Sequence, residues 1–222
     1  MRRPGAKQVR HVFSASDYKN ATQNYAQDWA LLDQTLYRLC SKHPLHTDRL
    51  SVTAKVVLIG RTYATGIERK VPTTGTQGSS ILQVVKLFVF NGKQIDQWLA
   101  RLPQGAASLS SSNVSEILNV HGLILKLLSG LTIDGQSART FVSKYLHFHN
   151  PIVPIYDSVV QEFLPKLVRL RKGRTTYTAA HADHVYATYV SRFATLCASA
   201  SQSATITVRL LDYYLIWKKE NP

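Results

Sequence analysis

The chemistry this chain could perform is concentrated between residues 133 and 160, in "IDGQSARTFVSKYLHFHNPIVPIYDSVV". Asp157 follows a loop in which Pro151 and Pro154 each lack a backbone donor and restrict the residue before them, and it opens the apolar run "SVVQEFLPKL". A carboxylate there is an N-cap whose charge the helix dipole favours. The same charge can stabilise a positive charge developing on a reacting group, or orient a water for attack. Arg139, Lys144, Tyr145, His147, His149 and Tyr156 all precede it closely. The two imidazoles suit a general acid–base pair, as in an RNA nuclease, and equally suit structural roles with satisfied nitrogens. On a helix they point about 200° apart, so they do not share one metal. No metal or other cofactor is expected.

Upstream of these residues, "LTIDGQSARTF" predicts a turn at Gly135 and a helix starting near Gln136 that buries Phe141, Tyr145 and Phe148. A Gly turn leading into a helix leaves backbone N–H groups pointing outward. The stretch Gly135, Gln136 and Ser137 is therefore a candidate phosphate site, with Arg139 beside it.

The rest of the chain reads as helices. "SASDYKNATQNYAQDWALLDQTLYRLCSKHP" carries Trp29, Leu32, Leu36 and Leu39 at helical spacing and ends before Pro44. "LSVTAKVVLIGRTYATGIER" is rich in β-branched residues, but its length and the spacing of Val56, Ile59, Tyr63 and Ile67 predict one helix. "SILQVVKLFVFNGKQIDQWLARLP" reads as two helices broken at Asn91–Gly92, with a hairpin as the competing form. A further helix is capped by Ser112 or Asn113 with Glu116 following. The last helix places Ile206, Leu210, Tyr213 and Trp217 on one stripe. The expected class is all-α.

The chain has 222 residues, 45% of them hydrophobic, enough for a packed core. Its 27 Lys and Arg against 13 Asp and Glu leave a formal charge of +14, which favours a polyanionic partner, nucleic acid first and an anionic membrane surface second. "KLVRLRKGR", residues 166–174, is a candidate contact to a phosphate backbone or a plain solvated face. Cys40 and Cys197 form neither a disulfide framework nor a metal spacing and are expected as buried thiols. With no apolar run long enough to span a bilayer and no signal-like N-terminus, a soluble cytoplasmic protein is expected.

The order of parts resembles the helix-hairpin-helix DNA glycosylases, whose signature is a Gly hairpin, a helix, a Pro-containing loop and an Asp opening the next helix. "IDGQSARTF" lies over their L-P-G-V-G-R-K-T-A and "VPIYDSVV" over their V-D-T-H-V. Arg139 takes the place of the Lys that attacks the sugar in bifunctional members, 18 residues before Asp157 as in endonuclease III-like members. "LIGRTYAT" is similar to the "LLSAQAT" helix, with Tyr63, and Arg61 beside it, over the Gln that fills the gap left by a flipped base. The hairpin departs from the pattern, and Arg139 stays charged and is no amine nucleophile. Lys144, one turn on, is the remaining candidate amine.

The resemblance implies a two-lobed helical unit over residues 1–222, with double-stranded DNA as partner and a monomer as the working form. Residues 50–130 would form a central lobe with the wedge helix, and 131–175 the helix-hairpin-helix and catalytic segment. Residues 1–49 and 176–222 would complete the second lobe. It implies a monofunctional glycosylase with Asp157 as the catalytic carboxylate and Tyr156, Tyr145, His147 and His149 near the base pocket. Its substrates would be bulky modified cytosines of phage DNA, such as glucosylated hydroxymethylcytosine, or oxidised and alkylated bases. A non-catalytic DNA-binding module of the same framework is the alternative, beside the nuclease.

Overall fold

The computed structural model describes residues 13–72, 79–104, 109–133, 138–170, 177–201 and 206–221. Among these the regular elements are all helical: α1 (Ala15–Asn20), α2 (Ala26–Lys42), α3 (Arg49–Thr62), α4 (Ile67–Lys70), α5 (Ser80–Phe90), α6 (Gly92–Ala100), α7 (Ser111–Ser129), α8 (Arg139–His149), α9 (Ser158–Leu167), α10 (His184–Ala200) and α11 (Val208–Glu220). The all-α class expected from periodicity holds. Among the described residues, no helix is long and apolar enough to cross a membrane.

Local chemistry sets most boundaries. Ser14 starts α1 by accepting from the Asp17 N–H (3.1 Å), and a π-helical turn at Ala21–Tyr25 joins α1 to α2. Asp48 caps α3 with both oxygens, on the N–H groups of Leu50 (3.1 Å) and Ser51 (2.9 Å). At Asn91–Gly92 the chain breaks into α5 and α6, and no hairpin forms. A Cβ on Gly92 would lie 2.7 Å from the His46 carbonyl oxygen, so glycine permits the close approach.

Two boundaries and one buried face differ from the periodic reading. The single helix expected over 50–69 is two. Ala64 and Gly66 take φ of +47° and +68°, and Thr65 returns its N–H (3.3 Å) and hydroxyl (2.8 Å) to the Gly60 carbonyl. Ala64 in this conformation costs about 1 kcal/mol, which tertiary contacts must offset. The cap of α7 is Ser110, whose N–H donates to the Asn113 side chain (2.8 Å), while Glu116 pairs with Arg101 (2.5 Å). In α11 the buried residues are Val208, Leu211, Asp212, Tyr213, Tyr214 and Leu215. Of the expected stripe Tyr213 is buried, Leu210 and Trp217 pack half-buried against the core, and Ile206 is buried just before the helix.

Helix α8 is the centre of the fold. Every residue from Phe141 to Phe148 is buried, and it packs on α2, α3 and α7. A helix surrounded on all sides must satisfy its polar groups internally. Tyr145 donates to His46 Nε2 (2.6 Å), and His46 Nδ1 pairs with Asp96 (2.6 Å). His149 stacks on His46 and accepts from Lys55 Nζ (3.4 Å), which also donates to the carbonyls of His43 (2.9 Å) and Leu45 (3.3 Å). Cys40 and Cys197 are buried free thiols.

Burial is the main cause that holds His46, His121 and His147 down at about 3, against an unfolded value near 6.5. Between those values the unfolded chain binds the extra protons, so stability is present above pH 6.5 and falls as pH drops. Each buried imidazole removes up to about 1.4 kcal/mol per pH unit. The urea midpoint is expected to fall steadily from pH 7 to pH 5; a flat midpoint would show that these rings are not neutral and buried.

Candidate active site

The loop between α8 and α9 carries Pro151 and Pro154, and its carbonyls find donors on buried side chains. His147 donates from Nδ1 to Val153 O (2.8 Å), Tyr186 to Pro154 O (2.7 Å) and Tyr189 to Ile155 O (2.5 Å). The Tyr156 N–H donates to Ser143 Oγ (2.9 Å). Four consecutive residues are thus fixed before the chain reaches Asp157. That residue caps α9, its Oδ1 accepting from the Val159 N–H (2.9 Å).

Its second oxygen meets Lys144. The Lys144 Nζ donates to Asp157 Oδ2 (3.0 Å) and to the Tyr63 carbonyl (2.9 Å), the C-cap of α3. Lys144 is 5% exposed and the Asp157 side chain 21%, so the carboxylate faces outward from a buried cation. A cleft of about 220 Å³ opens beside the pair, lined by Trp29, Tyr63, Ala64, Lys144, Asp157, Arg209, Asp212 and Tyr213, among others. That is room for one small planar group.

The far wall is a second ionic network. Asp33 accepts from the Tyr63 hydroxyl, from the Tyr213 hydroxyl (2.5 Å), and from Arg209 through Nε (2.7 Å) and Nη2 (3.0 Å). Arg209 Nη1 donates to Asp212 Oδ2 (2.8 Å), and the guanidinium lies over the Tyr213 ring (4.2 Å). Burial raises the Asp33 carboxyl, and its bonds with Arg209 and the two phenols outweigh that, leaving it below the usual range. Burial pushes Asp212 up to about 6, with the charges of Asp157 and Asp33 adding to the rise and those of Arg209 and Lys144 opposing it.

Of the residues singled out in the sequence, Asp157, Lys144 and Tyr63 come together in the cleft. Arg139 lies outside it, held by Asp183 through Nε (2.5 Å) and Nη2 (2.8 Å), where Asp183 caps α10. Tyr63 is a buried wall, packed on Trp29 and Phe148, and does not project outward as a wedge. Arg61 is exposed and paired with Glu68 (2.9 Å). Tyr145, His147, His149 and Tyr156 do not line the cleft. Both nitrogens of His147 are committed, Nε2 to the Tyr37 hydroxyl (2.6 Å), and so are those of His149, Nδ1 to Tyr145 O (2.9 Å) and Nε2 to Lys55. Gly135, Gln136 and Ser137 fall outside the described residues, as do 171–174 of the basic run. No group of three or more His, Cys, Asp or Glu that could hold a metal occurs among the described residues.

Asp33, Arg209 and Asp212 escaped the sequence reading, although a signal was present. Phe141, Lys144, Tyr145 and Phe148 follow the i, i+3, i+4, i+7 spacing of a core face, as do Val208, Leu211, Asp212 and Leu215. A charge in such a stripe must be buried and paired.

No family model, curated protein or solved structure matches this chain.

Arg209→Ala would leave Asp33 and Asp212 buried without their cation. Removing one partner of such a network costs about 3–5 kcal/mol, so a large fall in the chemical denaturation midpoint is expected. A loss below about 1 kcal/mol would show that the network is solvated.

Proposed function

We propose that this protein is a monofunctional DNA glycosylase of the two-lobed helix-hairpin-helix kind, in which a base flipped out of a duplex enters the cleft and Asp157 acts on its bond to the sugar. The observation that carries this is the Lys144–Asp157 pair: a partly exposed carboxylate, aimed by a pinned loop, at the edge of a cleft of suitable size.

Cleavage of an N-glycosidic bond builds positive charge on the sugar. A carboxylate beside the sugar stabilises that charge and orients a water, which adds to the sugar carbon as the base departs and leaves an abasic site. The pinned loop supplies preorganisation, because Asp157 cannot turn away when the charge develops. Lys144 directs two of its donors to Asp157 and Tyr63 O and so works as a clamp on the carboxylate. Strand scission through an imine is therefore not expected. Reaching the sugar bond requires extrusion of the base, at a cost of a few kcal/mol repaid by the pocket.

The charge distribution supports a nucleic-acid partner. Every aspartate whose side chain is described is engaged: Asp17 with Lys218, Asp33 with Arg209, Asp48 and Asp157 as caps, Asp96 with His46, Asp183 with Arg139, and Asp212 with Arg209. The described aspartates are committed to pairs and caps, and the formal excess of +14 is available to an anionic partner. The committed nitrogens of His147 and His149 give the nuclease alternative no support.

The test is incubation with host DNA and with phage DNA carrying modified cytosines, alongside duplexes with oxidised or alkylated bases. Abasic sites are counted with an aldehyde-reactive probe, and released bases are identified by mass spectrometry. Asp157→Asn is expected to lower base release by about 10²-fold or more while DNA binding persists. Undiminished release by that variant would remove Asp157 from the chemistry. Salt-sensitive binding without any abasic sites would make the protein a DNA-binding module. Borohydride treatment is expected to trap no covalent complex; a trapped complex lost in Lys144→Gln would make it a lyase as well.

A further inference from the structure

Asp212 is 1% exposed and lines the cleft, and its Oδ1 has no hydrogen-bond partner among the described residues. Its Oδ2 is taken by Arg209. An unsatisfied buried oxygen carries a standing desolvation penalty that a ligand donor can relieve. The pairing with Arg209 does not by itself account for the residue, because Asp33 already takes two of the guanidinium donors.

We infer that Asp212 selects the substrate, accepting at Oδ1 a hydrogen bond from an exocyclic amino group on the flipped base. The inference rests on the glycosylase function proposed above and narrows its substrate to amino-bearing bases. A site built to hold a polar group rejects the analogue that lacks it, because its own buried atom is then left unpaired. A carboxylate accepting from the amino group of cytosine is a known form of base discrimination. Asp157 would act on the sugar and Asp212 would read the base, two carboxylates of one cleft in different surroundings.

The charged and titratable groups around Asp212 are Arg209 on its own helix, Lys144 on α8, Asp157 at the start of α9, Asp33 and Tyr37 on α2, and Tyr189 on α10. With the carboxyl held at about 6, Asp212 accepts from an amino group above that pH and loses this capacity below it. The amino preference is therefore expected to weaken as pH falls from 8 to 5.

The experiment compares kcat/KM on matched duplexes: a cytosine-class and a uracil-class base with the same 5-substituent, and an adenine-class and a hypoxanthine-class base. The wild-type protein is expected to favour the amino-bearing member by about tenfold or more. In Asp212→Asn, Arg209 holds the amide oxygen and turns the NH2 group toward the base. The preference is expected to reverse toward the carbonyl-bearing member. Unchanged preference in a folded Asp212→Asn protein would overturn the inference while leaving the glycosylase in place. Absence of release from every duplex by the wild-type protein would instead remove the glycosylase. If the variant does not fold by circular dichroism, the wild-type pH series decides: a preference flat from pH 8 to pH 5 overturns the role of Asp212.

Discussion

An ammonium group buried in the middle of the central helix constrains everything near it. Lys144 sits in the apolar face of α8, where an unpaired cation would cost several kcal/mol. Among the described residues two acceptors reach it: the Tyr63 carbonyl and the Asp157 carboxylate. The first ties the end of α3 to α8 and coincides with the left-handed turn at Ala64. The second ties the start of α9 to the same point. One charge thus fixes where one helix stops and another begins, and the cleft lies between them.

The Pro-rich loop meets a complementary demand. Proline removes donors but leaves carbonyls, and buried carbonyls need partners. The imidazole of His147 and the phenols of Tyr186 and Tyr189 supply them in sequence along the loop. The rings near Asp157 are therefore the mould that orients it. They hold the carboxylate from behind, and its exposed side is left toward the cleft.

The two carboxylates of the cleft sit in different surroundings. Asp157 is partly exposed, caps the N-terminus of α9 and is paired with a lysine. Asp212 is buried on α11, sharing an arginine with Asp33. Desolvation raises one acid, while the other keeps access to solvent and a direct cation.

The sequence by itself determined the helical class, most element boundaries and the setting of Asp157, because spacing, caps and prolines act over a few residues. The break at Tyr63–Gly66 was not legible there, since Tyr63 continues a helical period and only contacts with Lys144 and Gly60 make the turn worthwhile. Arg139 matched a motif by spacing, yet its guanidinium went to Asp183, 44 residues on. Lys144 stood in the sequence as a candidate amine with nothing to show its partner, and Asp33, Arg209 and Asp212 were not singled out at all. Their places within apolar stripes hinted at burial, but pattern cannot name a partner. Asp33 and Arg209 are 176 residues apart, and pairing across that distance is decided by which helix faces pack together, a property of the tertiary structure alone.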